Sequence, residues 1–200
     1  MTNVIKFTYP KGFSKFLDGV MPTPIKVNIP EWFKKLEHKH NKRTVKGCIP
    51  FLDALTSGYL IRMTEDFYIQ HNVINPETKE KDTFFQTPIK EDRVGEHLNI
   101  NTQYPQMHNV NQLKGSPLVG KNKNLPFYKI CNPFKIITPP GYSCLFVPPL
   151  NNKDDRFEII AGIVDTDSYD DEINFPIVIN GDKYDTLETI IERGTPLAQV

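Results

Sequence analysis

Hydrophobic and polar positions change rhythm near residue 125. Beyond it, short β-branched and aromatic runs alternate with proline, glycine and aspartate. Phe127-Tyr128-Lys129-Ile130 leads to Asn132-Pro133-Phe134-Lys135-Ile136-Ile137, then through Pro139-Pro140-Gly141 to Tyr142-Ser143-Cys144-Leu145-Phe146-Val147. Side chains of this kind suit a pleated, half-buried surface, and proline, which lacks a ladder donor, stops each run early. Further strands are predicted at Phe157-Glu158-Ile159-Ile160, at Gly162-Ile163-Val164 and over residues 173–180, and residues 190–194 turn into a closing strand over residues 194–200.

Upstream the pattern is looser. Residues 1–46 read as an extended arm, divided by Pro10, Pro22, Pro24 and Pro30, with a short helix beginning at Pro30-Glu31-Trp32-Phe33. Residues 47–200 read as a single β domain. Pro50-Phe51-Leu52-Asp53-Ala54-Leu55 predicts a helix that stops near Ser57-Gly58, and Tyr59-Leu60-Ile61-Arg62-Met63 and Phe67-Tyr68-Ile69 predict two strands around a Glu65-Asp66 turn. Insertions occupy about residues 72–125: a polar hairpin-like stretch carrying Phe84 and Phe85, then an excursion rich in Asn, Gln, His, Pro and Gly. The fold class is therefore mainly β with few short helices, and 17 prolines against 11 glycines argue against long ones.

Charge sharpens the picture. The net charge is zero, yet residues 1–150 hold 20 Lys and Arg against 12 Asp and Glu, while residues 151–200 hold 4 against 12. An asymmetry of +8 and −8 suits head-to-tail or intersubunit contact, or a basic arm on a polyanion; surfaces that merely differ in sign explain it too. The basic run 34–46, beside Trp32 and Phe33, has the letters of a base-stacking surface. An aromatic pair docking beside a solvated loop explains the same letters, and nucleic acid is not the expected partner. His38 and His40 fall in that run and read as loop residues; no metal site is expected. Cys48, Cys131 and Cys144 form no pair motif, which suits a reducing compartment. No apolar run approaches the roughly 18 residues of a membrane span, and the N-terminus has no signal-peptide core. The expected location is inside a cell.

The segment with most chemical content is Gly162-Ile163-Val164-Asp165-Thr166-Asp167-Ser168-Tyr169. Together with Ile137-Thr138-Pro139-Pro140-Gly141-Tyr142 before it and Gly194-Thr195-Pro196-Leu197-Ala198-Gln199-Val200 after it, this order resembles the core of the dUTPase and dCTP deaminase superfamily over about 60 residues. The resemblance implies a jelly-roll core of β-clip type over about residues 126–200. It makes Asp165 the water-activating and sugar-contacting carboxylate, Tyr169 the platform under the deoxyribose and Gln199 a phosphate contact. It also implies a trimer, in which Val200 or the arm pairs with a neighbour. The chain departs from the family where an arginine-serine pair is due: Val147-Pro148-Pro149-Leu150-Asn151-Asn152-Lys153-Asp154-Asp155-Arg156 has none and adds two carboxylates. From the residues alone, Asp165, Asp167, Asp170 and Asp171 read as an exposed capping turn or as ligands for a divalent cation.

A second resemblance spans most of the chain. Trp32-Phe33-Lys34-Lys35-Leu36, the stretch from Cys48-Ile49-Pro50-Phe51 to Gly58-Tyr59, and Pro139-Pro140-Gly141-Tyr142-Ser143-Cys144-Leu145-Phe146-Val147-Pro148-Pro149 resemble a protein family of large tailed phages, notably those of marine cyanobacteria. It implies viral origin and brings no activity with it. The expected function is a non-catalytic phage protein, either a virion component or an infection-stage accessory in the host cytoplasm, needing no cofactor. The alternatives are a dUTP- or dCTP-processing enzyme, which alone would need Mg²⁺, and a nucleotide-binding protein using the same pocket.

Overall fold

The computed structural model describes residues 4–86 and 106–200; much of the long insertion read from the sequence lies outside them. Proline spacing keeps the elements short, and they are numbered here in chain order. A four-stranded antiparallel sheet is ordered β10 (Phe157–Ile159), β12 (Phe175–Ile179), β7 (Phe127–Ile130), β6 (Gln106–His108). Two three-stranded sheets are ordered β13 (Leu187–Ile191), β4 (Phe67–Ile74), β5 (Lys81–Gln86), and β14 (Pro196–Gln199), β3 (Tyr59–Arg62), β2 (Thr23–Pro24). Two ribbons complete the β structure: β1 (Lys6–Thr8) with β8 (Lys135–Ile137), and β9 (Cys144–Phe146) with β11 (Gly162–Val164).

Period-two alternation explains why these pieces stack. Phe67, Ile69, Ile130, Phe146, Phe157, Ile159, Phe175, Ile177, Ile191 and Leu197 come from four sheets and ribbons into one sandwich-like core, each almost wholly buried. Burial of this kind contributes roughly 1.5–3 kcal/mol per large side chain. The arm adds a satellite core, in which Phe13, Leu17 and Val20 close over Phe134. Arg193 holds it there: its Nη2 donates to the carbonyls of Phe16 and Asp18, both at 2.6 Å, and its Nε to Thr64 O at 3.1 Å.

The expected strands 59–63 and 67–69 both form, but they are not a hairpin. β3 pairs with β14 and β2, whereas β4 pairs with β13 and β5. The corner between them is fixed from outside, because the Arg193 backbone N–H donates to Asp66 Oδ1 at 2.7 Å. The closing strand pairs on both flanks within the chain. Val200 N donates to Tyr59 O at 2.9 Å, Tyr59 N donates to Val200 O at 3.0 Å, and Val147 and Gln199 exchange backbone hydrogen bonds on the other flank. The arm pairs within the chain as well, through β1 and β2.

Two short helices pack against each other. α1 (Glu31–Lys35) starts at Pro30, and its buried Phe33 stacks on Phe51 of α2 (Ile49–Thr56) at 6.1 Å, nearly parallel, with Trp32 edge-on to both. A third, α3 (Pro117–Lys121), is capped by the Ser116 hydroxyl. After α2 the chain reverses at Gly58, whose φ of +74° only glycine adopts freely. A Cβ there would stand 1.9 Å from Val200 O.

One buried group makes the fold sensitive to acid. His71 on β4 is fully buried, its Nδ1 lies 3.5 Å from Thr83 Oγ1, and its Nε2 has no hydrogen-bond partner among the described residues. Burial, reinforced by the charge of Lys123, pushes its pKa below the usual imidazole value. Because the unfolded chain takes up this proton near pH 6.5 and the folded one resists it, stability is present above that pH and drains as pH falls. Urea unfolding at pH 7.5 and 5.5 is expected to differ by about 1 kcal/mol, and His71→Leu to remove most of that difference. A pH response unchanged in the variant would contradict this origin.

Candidate functional site

The turn after β11 folds against the turn before β9. This follows from the ribbon's register: Val164 stands opposite Cys144, so residues 165–169 leave β11 where residues 138–143 enter β9. Short hydroxyl side chains then join them. Thr138 N donates to Thr166 O at 3.2 Å, the Thr138 and Thr166 hydroxyls meet at 2.8 Å, and the buried Thr166 Oγ1 reaches Cys144 Sγ at 3.3 Å. Asp167 Oδ2 accepts from Gly141 N at 2.7 Å, and Asp165 Oδ1 accepts from the Ser143 hydroxyl at 2.7 Å. The Asp165 carbonyl takes the amides of Ser168 and Tyr169. Thr138 and Ser143 are marked in the sequence only as hydroxyl residues flanking a proline-glycine turn, and their partners Thr166 and Asp165 lie 28 and 22 residues away, so no local pattern announces these bonds.

Asp165 and Tyr169 thus share one turn, and both are exposed. Neither lies in a water-excluded setting of the kind that strengthens a catalytic carboxylate. The cation bonded to this segment among the described residues is Lys135, which donates to Asp170 O at 2.9 Å and Oδ1 at 3.1 Å; its pKa is raised by that bond. Next to it, the Asp171 and Glu172 side chains share one proton, and the bond that a protonated Glu172 donates to Asp171 holds the Asp171 pKa down and pushes that of Glu172 up. Among the described residues no three His, Cys, Asp or Glu side chains converge on a point where a metal ion could sit.

Gln199 is placed elsewhere. It is buried in β14 opposite Val147, four residues along the chain from Ser143, on the order of 13 Å at about 3.3 Å per residue. Both ends of its amide are engaged: Oε1 accepts from Leu150 N at 2.8 Å, and Nε2 donates to Ala54 O at 3.0 Å and Ser57 O at 2.9 Å. It fastens the end of α2 to the turn after β9. The structure brings Asp165 and Tyr169 together and keeps Gln199 apart from them.

The segment standing where an arginine-serine pair is due is also internally bonded. Arg156 grips Asp154 through Nε at 3.0 Å and Nη2 at 2.7 Å, while Nη1 donates to Thr189 Oγ1 at 3.0 Å and Ile190 O at 2.9 Å, joining β10 to β13. Burial alone would raise the Asp154 carboxyl, but the guanidinium overrides it and holds the pKa below the usual range. Asp155 is bonded to Lys183 and to the Tyr184 hydroxyl. The two extra carboxylates are thus matched locally, and Arg156 is committed to the fold.

Comparison with protein-family models, with curated proteins and with solved structures returns no match. No helix among the described residues is long and apolar enough to cross a membrane.

Proposed function

We propose that this chain is a non-catalytic β protein of a tailed phage, a virion component or infection-stage accessory, working as a homo-oligomer on a jelly-roll scaffold of dUTPase type. The observation that supports this reading best is the engagement of Gln199, whose two Nε2 donors, the groups a phosphate contact would need, both serve backbone carbonyls of the fold. Arg156 and Arg193 support it in the same way, since their donors serve the fold. Phosphoryl chemistry needs cations or amides aimed at developing charge, and the acidic turn offers carboxylates instead.

The competing reading, a dUTP- or dCTP-processing enzyme with Asp165 as base, draws on Asp165 and Tyr169 sharing one exposed turn. The two readings separate in an assay of dUTP and dCTP with Mg²⁺, following release of pyrophosphate and ammonia. Background rates are expected for both nucleotides. Turnover above background that disappears in Asp165→Ala would establish the enzyme reading and overturn the proposal.

A further inference from the structure

We infer that copies of this chain associate head to tail, the aromatic and basic surface around α1 and α2 of one copy docking on the apolar and acidic face of the β9–β11 ribbon of the next. This deepens the proposed homo-oligomer, and rests on that reading in supposing that the exposed turn binds a protein rather than a nucleotide.

Each surface joins exposed apolar side chains to charge of one sign. On the first, Trp32 is 46% exposed, Val45 41% and Ile49 67%. They stand around residues 34–46, which carry six cations against the single carboxylate of Glu37. On the second, Leu145 and Ile163 lie directly opposite each other across the ribbon, 54% and 71% exposed, and so project from the same face. Tyr142 and Tyr169 stand exposed in the adjoining turns, and residues 165–172 carry five carboxylates and no cation. β11 pairs only with β9 among the described residues, and its Gly-Ile-Val sequence has none of the lysines or prolines that usually protect an open edge.

The charges decide how the copies meet. A two-fold contact through either surface would set like charges against like, which is costly at an interface. Basic against acidic is complementary, and it puts the apolar groups of the two surfaces together, where burial supplies affinity while charge supplies orientation. The two surfaces also sit toward opposite ends of β9. The acidic turn bonds to Gly141 and Ser143, whereas α2 bonds to the other end through Gln199 and through Asn151. Such a heterologous contact repeats, closing into a ring where the rotation allows.

Sedimentation of the full chain at about 50 mM and about 500 mM salt tests this, since exposed charge pairs are screened over that range. At low salt the mass is expected to exceed the 23.0 kDa of one chain, and high salt to reduce it. Asp170→Lys with Asp171→Lys, and separately Lys35→Glu with Arg43→Glu, are each expected to weaken association about a hundredfold. Ile163→Ser, at an exposed position that leaves the core intact, is expected to weaken it as well. The decisive result is the mixture of the two charge-reversed variants. Each keeps the surface the other has lost, and their two reversed surfaces carry opposite charges, so the mixture is expected to associate where neither variant does alone. A monomer at low salt across micromolar to submillimolar concentrations, or association undiminished in both reversed variants, would overturn the inference. These are readings of mass, so their failure is separate from any finding of nucleotide turnover.

Discussion

Gly58→Ala is expected to lose about 3 kcal/mol or more of stability, while Gly19→Ala loses about 1 kcal/mol. The two glycines have almost the same backbone, with φ of +74° and +75°, so the strain of placing an L side chain there is shared. They differ in surroundings: a Cβ at Gly19 meets nothing within 4 Å, and one at Gly58 meets the Val200 carbonyl at 1.9 Å. That carbonyl cannot retreat without breaking its bond from Tyr59 N, and with it the pairing of β14 to β3. Thermal unfolding should therefore show a melting temperature lower by about 6–12 °C for Gly58→Ala and by only a few degrees for Gly19→Ala. Equal losses would mean that the close approach carries no energy.

Gln199→Leu is expected to cost about 3 kcal/mol, although leucine fills a similar volume. The substitution strands the Leu150 amide and the Ala54 and Ser57 carbonyls, each of which now bonds to the glutamine. Gln199→Glu should be no better, because a carboxylate has no hydrogen to give the two carbonyls and is repelled by them. Urea unfolding of both variants checks this. A residue kept for a ligand would behave otherwise: its replacement by leucine would leave stability unchanged or raise it.

Why the strands were legible and the site was not follows from the range of the forces involved. Runs such as Phe175-Pro176-Ile177-Val178-Ile179 declare themselves, since alternation and β-branching are local signals, and β12 forms there. The stop of α2 is equally local: Ser57 closes it and Gly58 turns the chain. Pairing is not local. The separation of β3 from β4 depends on Arg193, more than a hundred residues later, bonding to Asp66 and Thr64. For the same reason Gln199 looked available in the sequence, where Leu150 and Ala54 are remote from it, and is engaged in the fold. Asp165 and Tyr169 were legible as one exposed turn, but the hydroxyls that pin it come from Thr138 and Ser143 on a different strand end.

The central proposal is that Asp165, Tyr169 and Gln199, which in the sequence resemble nucleotide-site residues, serve this chain as fold and contact surface. Its most direct test is a titration with a non-hydrolysable dUTP analogue and Mg²⁺, followed through the backbone amide resonances of Ser143, Asp165, Tyr169 and Gln199. The account predicts that none of the four shifts saturably. Saturable, concerted shifts at Asp165, Tyr169 and Gln199 would contradict it.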